Sequence, residues 1–184
     1  RNILFKTELV GVSESTLQSD FSARKFAHTE FLHAGSKGNI QYAEFKYMGH
    51  YNKLSRYPIH PHQLEESARG MTIRGNGLWY TGFRWINIHC SDGVLVEDNV
   101  GFSSHLTGYF TETEFNAKEQ VTCSVGDIAV VHNLGVGSKR RLPAATVGES
   151  FRVATFWPGS ATGEAHLGNI AVGLIADESS TASG

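Results

Sequence analysis

The tetrapeptides Asn99-Val100-Gly101-Phe102, Asn133-Leu134-Gly135-Val136 and Asn169-Ile170-Ala171-Val172 share one pattern of Asn, aliphatic, small and apolar, and they recur 34 and 36 residues apart. A repeat at this interval points to a stacked architecture in which each coil buries its apolar face only against its neighbours. Gly70 and Gly93 each open an apolar group and lie 23 residues apart, an interval suited to one coil with short turns. The longer intervals are then coils carrying inserted loops. The recurring Asn is expected at equivalent turns, where stacked identical amides hydrogen-bond to one another as a ladder.

The punctuation of the chain agrees with strands. Gly numbers 20 of 184 residues and Pro 4. Short apolar groups at residues 3–5, 40–45, 71–73, 85–88, 94–96, 128–131, 151–156 and 170–175 are separated by glycine and polar residues, with almost no 3.6-residue period. Residues 13–26 read as a loop with at most a turn. The fold class expected is all-β, a parallel β-helix with inserted loops over residues 1–176, followed by a polar tail or linker at residues 177–184. The competing reading is a β-sandwich in which the three tetrapeptides are alike by accident.

Composition excludes several classes. A hydrophobic share of 40% with 18% charged residues is that of a chain with a core, not a disordered one. Sixteen Lys plus Arg against 18 Asp plus Glu, with no basic cluster, leaves nothing to hold a phosphate backbone, so nucleic acid is not an expected partner. No apolar run approaches the roughly 20 residues that cross a bilayer, so no membrane insertion is expected in this segment. Cys90 and Cys123 are either one bridge or two buried thiols.

The densest chemistry lies in Ser55-Arg56-Tyr57-Pro58-Ile59-His60-Pro61-His62. On extended backbone, alternate residues share a face, so Arg56, Pro58, His60 and His62 are expected on one side. His60 and His62 are able to ligate one ion with His50 or His89 as a third ligand, although no His-Glu-x-x-His or Cys-x-x-Cys motif anchors a zinc reading. The metal is left unknown; the sequence fixes no cofactor, and calcium is the ion carried as a candidate. Glu112 and Glu114 again have same-face spacing, while Asp92 before Gly93 reads as a turn former. Hydrolysis of a polysaccharide calls for two carboxyl groups; a lyase calls for a base and a cation that steadies the developing anion. The residue types permit both. Arg56, His60, His62, Glu112 and Glu114 are the candidate catalytic residues. Tyr57, Trp79 and Tyr109 are the candidate sugar-binding platforms, among aromatics that also include Tyr80, Phe83, Trp85 and Phe110.

Gly38-Asn39-Ile40-Gln41-Tyr42-Ala43-Glu44-Phe45-Lys46-Tyr47-Met48-Gly49 and the segment from Arg56 to His62, followed by Gly93-Val94-Leu95-Val96-Glu97-Asp98-Asn99-Val100-Gly101-Phe102, Tyr109-Phe110-Thr111-Glu112 and His132-Asn133-Leu134-Gly135-Val136, resemble the β-helical region of the G8-domain family, whose members include hyaluronan-binding, hyaluronan-cleaving and fibrocystin-like cell-surface proteins. The likeness spans roughly residues 1–173. It implies a right-handed parallel β-helix, an extracellular or cell-surface setting and, for some members, hyaluronan turnover. The chain departs from the family pattern at Pro61, where an aromatic stands between the histidines. It departs again at Glu65 and Glu66 in place of an Asp, at Glu112-Thr113-Glu114 in place of Glu-Asp-Gly, and at Thr107 or Gly108, with His105 displaced from the aromatic pair.

Two functions are therefore expected: an extracellular glycan-interacting β-helix that cleaves a hyaluronan-like, anionic polysaccharide as hydrolase or lyase, or a non-catalytic structural or adhesion module of a cell-surface or matrix protein. Because Arg1-Asn2-Ile3-Leu4-Phe5 reads as a strand already under way, a longer chain is expected, with neighbouring coils, a domain or a partner chain covering the N-terminal edge.

Overall fold

The computed structural model describes residues 3–8, 10–20, 23–33, 35–115, 121–123, 126–138, 156–157 and 165–173. They form a parallel β-helix of three sheets. The first sheet stacks Ile3–Lys6, Ala43–Lys46, Gly77–Trp79, Val100–Phe102, Leu134–Val136 and Ile170–Val172. The second stacks Glu30–Leu32, His60–Glu65, Ile86–Ser91, Tyr109–Glu112 and Phe156–Trp157, and the third stacks Ile40–Gln41, Thr72–Arg74, Leu95–Glu97, Ala129–Val131 and Ala165–Leu167. Within each sheet the pairing is parallel and follows chain order. The sandwich alternative is thereby excluded. Antiparallel pairing is confined, among the named strands, to an inserted hairpin, Glu114–Phe115 with Val121–Cys123. The tail at residues 177–184 and most of the apolar group at residues 151–156 lie outside the described residues.

The corner between the third and first sheets explains the repeat. Gly75, Asp98, His132 and Gly168 all have positive φ, 65°, 55°, 54° and 63°, and each is followed by an Asn whose side chain turns into the stack. Asn99 Oδ1 accepts from the backbone N–H and the Nδ2 of Asn76, at 3.0 and 2.9 Å. Asn133 Oδ1 accepts likewise from Asn99, at 2.9 Å for both donors, and Asn169 Oδ1 from Asn133, at 2.9 and 3.1 Å. Each Nδ2 also donates to the carbonyl of a third-sheet residue or its neighbour, Ile40, Ile73, Val96 and Val130 in turn. The expected ladder is present and has a further rung, Asn76. Its tetrapeptide, Asn76-Gly77-Leu78-Trp79, escapes the pattern because Gly and Leu have exchanged places.

The core fills from inward rows of the three sheets. Ile73, Val96 and Val130 are in register in the third sheet, and Ile59, Ile86, Ile88 and Tyr109 contribute from the second. In the first sheet Phe45, Leu78, Gly101 and Gly135 share a row. The change from large to small residues makes room for Trp85, which is fully buried: a Cβ on Gly101 would stand 2.3 Å from its ring. Removing about 200 Å² of indole surface from water is worth roughly 5 kcal/mol at about 25 cal/mol per Å².

Residues 13–26 depart from the loop expected. A short helix spans Glu14–Ser19, with the Ser13 hydroxyl accepting from the Thr16 N–H at 3.1 Å as an N-cap. Leu17 on its inner side packs with Phe26 and Tyr47. Beside it the fully buried Arg24 donates to the carbonyls of Leu17 (2.7 Å), Gln18 (2.7 Å), Thr81 (3.1 Å) and Ser103 (3.0 Å), tying the inserted segment to two successive coils. Cys90 and Cys123 form a disulfide, which pins the hairpin to the second sheet. Asp92 stands in the connection between Ile86–Ser91 and Leu95–Glu97, and its carboxylate reaches beyond a local turn, accepting from the Gly126 N–H of the next coil at 2.7 Å.

Candidate functional site on the outer face of the second sheet

Strand alternation in the second sheet sends Ile59, Ile86, Ile88, Tyr109 and Thr111 inward, so the residues between them line the outer face. Two outward rows result. One runs Glu30, His60, Asn87 and Phe110, and the other runs Leu32, His62, His89 and Glu112. His60 and His62 share a face, as expected, and Glu112 lies in the row of His62 with His89 between them.

The connection from the first sheet to His60 folds back over part of this face. Tyr57 is buried with its ring stacked on Phe83 at 5.4 Å, and meets His60 edge-on at 4.8 Å. His60 is consequently 1% exposed. Its Nδ1 lies 3.3 Å from the Ser55 carbonyl and 3.3 Å from a Glu30 carboxylate oxygen. Both are acceptors, so Nδ1 carries the proton and Nε2 presents its lone pair. Burial, then the neighbouring His62 and His89, push the His60 pKa down to about 2. Loss of water and two adjacent imidazoles outweigh the Ser55 carbonyl, which favours the charged form, and His60 is neutral. It is also not a loosely held surface side chain.

Arg56 precedes the strand and reaches the same patch through Glu30. Its Nη1 contacts His28 Nε2 at 2.5 Å and lies 3.9 Å from Glu30, and burial followed by the Arg56 charge holds His28 below its ordinary pKa. Arg84 occupies the centre. It is 1% exposed, and its Nη1 reaches Asn87 Oδ1 (2.5 Å), the Tyr57 hydroxyl (3.2 Å) and Glu112 Oε2 (3.3 Å). Its guanidinium lies over the Phe110 ring at 3.5 Å, a cation–π contact.

His60, His62 and His89 form one imidazole cluster. Ring centroids are 4.9 Å apart for His60 and His62, 4.7 Å for His62 and His89 and 6.3 Å for His60 and His89. One nitrogen from each falls within 4.8 Å of the other two. His50, the alternative third ligand, sits elsewhere, with its Nδ1 2.9 Å from the Tyr51 carbonyl.

The aromatic platforms fare differently. Tyr57 is enclosed, and Tyr109 is core, its hydroxyl 3.1 Å from the carbonyls of both Asn99 and Leu134; neither offers a ring face to a sugar. Trp79 is half-exposed but belongs to the first sheet, beside Phe102 at 6.1 Å, away from the histidines. For Glu114 only the backbone pairing with Cys123 is described. Glu30, Arg84, Asn87 and Phe110 escaped the sequence reading as site residues. The signal that finds Glu30, Asn87 and Phe110 is the same-face pair repeated once per coil: Glu30-x-Leu32, His60-x-His62, Asn87-x-His89, Phe110-x-Glu112; Arg84 lies ahead of its strand and outside that pattern.

Comparison with known proteins adds identity to this geometry. A family model described as CEMIP beta-helix matches residues 25–172. The mouse cell migration-inducing and hyaluronan-binding protein is 33% identical over 91 residues, 46% of this chain and 7% of the relative. The human cell surface hyaluronidase CEMIP2 is 26% identical over 107 residues, 55% of this chain and 7% of the relative. The chain thus spans less than a tenth of the length of either relative. No solved structure matches.

Proposed function

Since the chain belongs to the CEMIP beta-helix family, we propose that it is an extracellular glycan-interacting β-helix whose second-sheet outer face takes a hyaluronan-like anionic polysaccharide. The observation that carries this reading is the concentration of Arg56, Arg84, His62, His89, Phe110 and Glu112 on one face of one sheet. The part-exposed Arg56 is the cation that meets a uronic carboxylate there, and the half-exposed imidazoles and Glu112 stand where a chain lies along the stack. The names of the two relatives support the substrate class, and the Cys90–Cys123 disulfide supports an oxidising, extracellular setting.

The same face constrains the chemistry. Glu30 and Glu112 lie three rungs apart, about 14 Å at ~4.8 Å per rung, well beyond the roughly 5–9.5 Å that separates the carboxyl pair of a glycosidase. Among the described side chains this leaves the acid–base work to an imidazole, His62 or His89, with Glu112, held by Arg84 at 3.3 Å, as its partner. Exposed apolar strands at the ends of the stack, Ile3 and Leu4 on one side and Leu167 and Ile170 on the other, support contacts with neighbouring coils or a partner chain. Among the described residues no helix is long and apolar enough to cross a membrane.

Incubation with a panel of uronic-acid polysaccharides, with and without calcium, tests the proposal by following chain length and the absorbance of unsaturated ends. Shortening without unsaturation identifies a hydrolase, unsaturation a lyase. Binding that weakens in Arg56→Gln, with no cleavage, identifies a non-catalytic module, which the tight enclosure of His60 and Arg84 favours as the second reading. Absence of both binding and cleavage refutes the proposal.

A further inference from the structure

We propose that His60, His62 and His89 form a binding site for one borderline divalent transition-metal ion of the zinc class. This inference stands whether or not the face acts on glycans. Three imidazoles from two adjacent coils direct nitrogens within 4.8 Å of one another; three ligands of a tetrahedral centre at about 2.0–2.1 Å from the ion stand ~3.3 Å apart, a contraction that small rotations of the half-exposed His62 and His89 rings supply. The second observation is independent of that proximity. His60 Nε2 and His62 Nδ1 are both buried, and neither has a hydrogen-bond partner, although an unmet buried polar atom costs about 1–3 kcal/mol. An ion bound between them meets both at once.

The surroundings are those of a ligand set. His60 Nδ1 faces the Glu30 carboxylate and the Ser55 carbonyl at 3.3 Å each. That arrangement fixes the tautomer with Nε2 as the donor atom, as the outer partners of metal-bound histidines do. His60 closes the site on the protein side, while His62 and His89 are half-exposed, which gives the ion an entry path and leaves a fourth position toward solvent. Of the charged groups around the cluster, Glu30 and Glu112 oppose Arg56 and Arg84, so the patch does not present a net positive wall to a cation. Three neutral nitrogen donors select Zn²⁺, Co²⁺, Ni²⁺ or Cu²⁺. Calcium, which wants six to eight oxygens, is not the ion expected at this site. The disulfide beside His89 removes Cys90 and Cys123 as competing thiolates.

Untagged protein, stripped with chelator, is titrated with Co²⁺ and Zn²⁺ by calorimetry and by the visible Co²⁺ spectrum. The expected result is one ion per chain, an intense tetrahedral Co²⁺ band that Zn²⁺ abolishes, and a rise in unfolding temperature with added Zn²⁺ but not with Ca²⁺. His62→Gln and His89→Gln should each weaken binding at least about 100-fold, and Glu30→Gln about 10- to 100-fold through the orientation of His60. His60 is too enclosed to be the primary test, so folding of the His62 and His89 variants is checked by circular dichroism. His132→Gln controls for the exposed Glu97, Asp98 and His132 group and should bind as the parent does. The proposal is overturned if no stoichiometric binding is seen, if Ca²⁺ competes equally, if folded His62→Gln and His89→Gln retain parental affinity, or if His132→Gln alone abolishes binding.

Discussion

Replacing Asn99 by Ala removes the middle of the amide ladder. The Asn99 side chain accepts from the N–H and the Nδ2 of Asn76 and donates to Ile73 O and Asn133 Oδ1, all at 2.9–3.0 Å and all within the buried interior. Asn76 Nδ2 keeps its bond to Ile40 O, and Asn133 Oδ1 keeps the Asn99 N–H. Two groups lose their side-chain partner outright, the Asn76 N–H and the Ile73 carbonyl. At about 1–3 kcal/mol for each buried unsatisfied group, with the void adding ~1 kcal/mol, the loss is about 3–7 kcal/mol. That is a large share of a stability of about 5–15 kcal/mol. Asn169→Ala is the matched comparison, because Asn169 also accepts twice and donates once but is only half-buried, so water can replace it. Its expected cost is about 1 kcal/mol. Urea unfolding of both variants, with unchanged m-values as the check on the comparison, measures the difference. Equal losses, or a loss below about 1 kcal/mol for Asn99→Ala, would refute the view that buried amide satisfaction holds the coils in register.

Gly101→Ala forces a methyl into the Trp85 ring and should destabilise by about 1–3 kcal/mol, with a shift in tryptophan emission; an unperturbed spectrum at parental stability counts against the row assignment. Arg24→Met leaves four carbonyls without their donor and should cost at least ~3 kcal/mol, read as early loss of protease resistance around the Glu14–Ser19 helix. In chelator, where His60 carries no ion, its lowered pKa means the unfolded chain takes up a proton below pH 6.5 that the folded chain refuses. Stability is then full above about pH 6.5 and falls as pH drops toward 2, by up to ~1.4 kcal/mol per pH unit. His60→Gln should flatten that slope, and a parental slope in a folded His60→Gln would assign it to other groups.

The repeat at Asn99, Asn133 and Asn169 made the architecture legible, because a ladder demands the same residue in the same place on every coil. Asn76 was hidden only by its neighbours: Trp85 occupies the space over Gly101, so the small residue belongs there, while Leu78 fills the row one coil earlier. The His60-x-His62 pair was legible as a surface feature by strand alternation. That it would be enclosed was not, since the cover comes from Tyr57 and Arg84, whose approach depends on how an inserted connection folds back. Glu30 joins His60 only through parallel pairing of strands separated by a whole coil, so its same-face pair, Glu30-x-Leu32, reads as an ordinary strand until the register of the coils is known. Tyr57 and Tyr109 showed the complementary limit: an aromatic in a strand pattern reads alike whether it faces the core or a sugar.

The corner between the third and first sheets never exceeds two residues: Tyr42 alone, then Gly75-Asn76, Asp98-Asn99, His132-Asn133 and Gly168-Asn169. All the long connections, including the Glu14–Ser19 helix and the disulfide-pinned hairpin, leave from the other two corners. One extra residue at the short corner would break a rung and turn every following side chain of that strand to the opposite face, whereas a segment added at the other corners disturbs no amide. Heritable change in length is therefore channelled toward the borders of the second sheet. The edge that keeps count of the coils stays fixed, and the frame around the histidine face is free to acquire new walls.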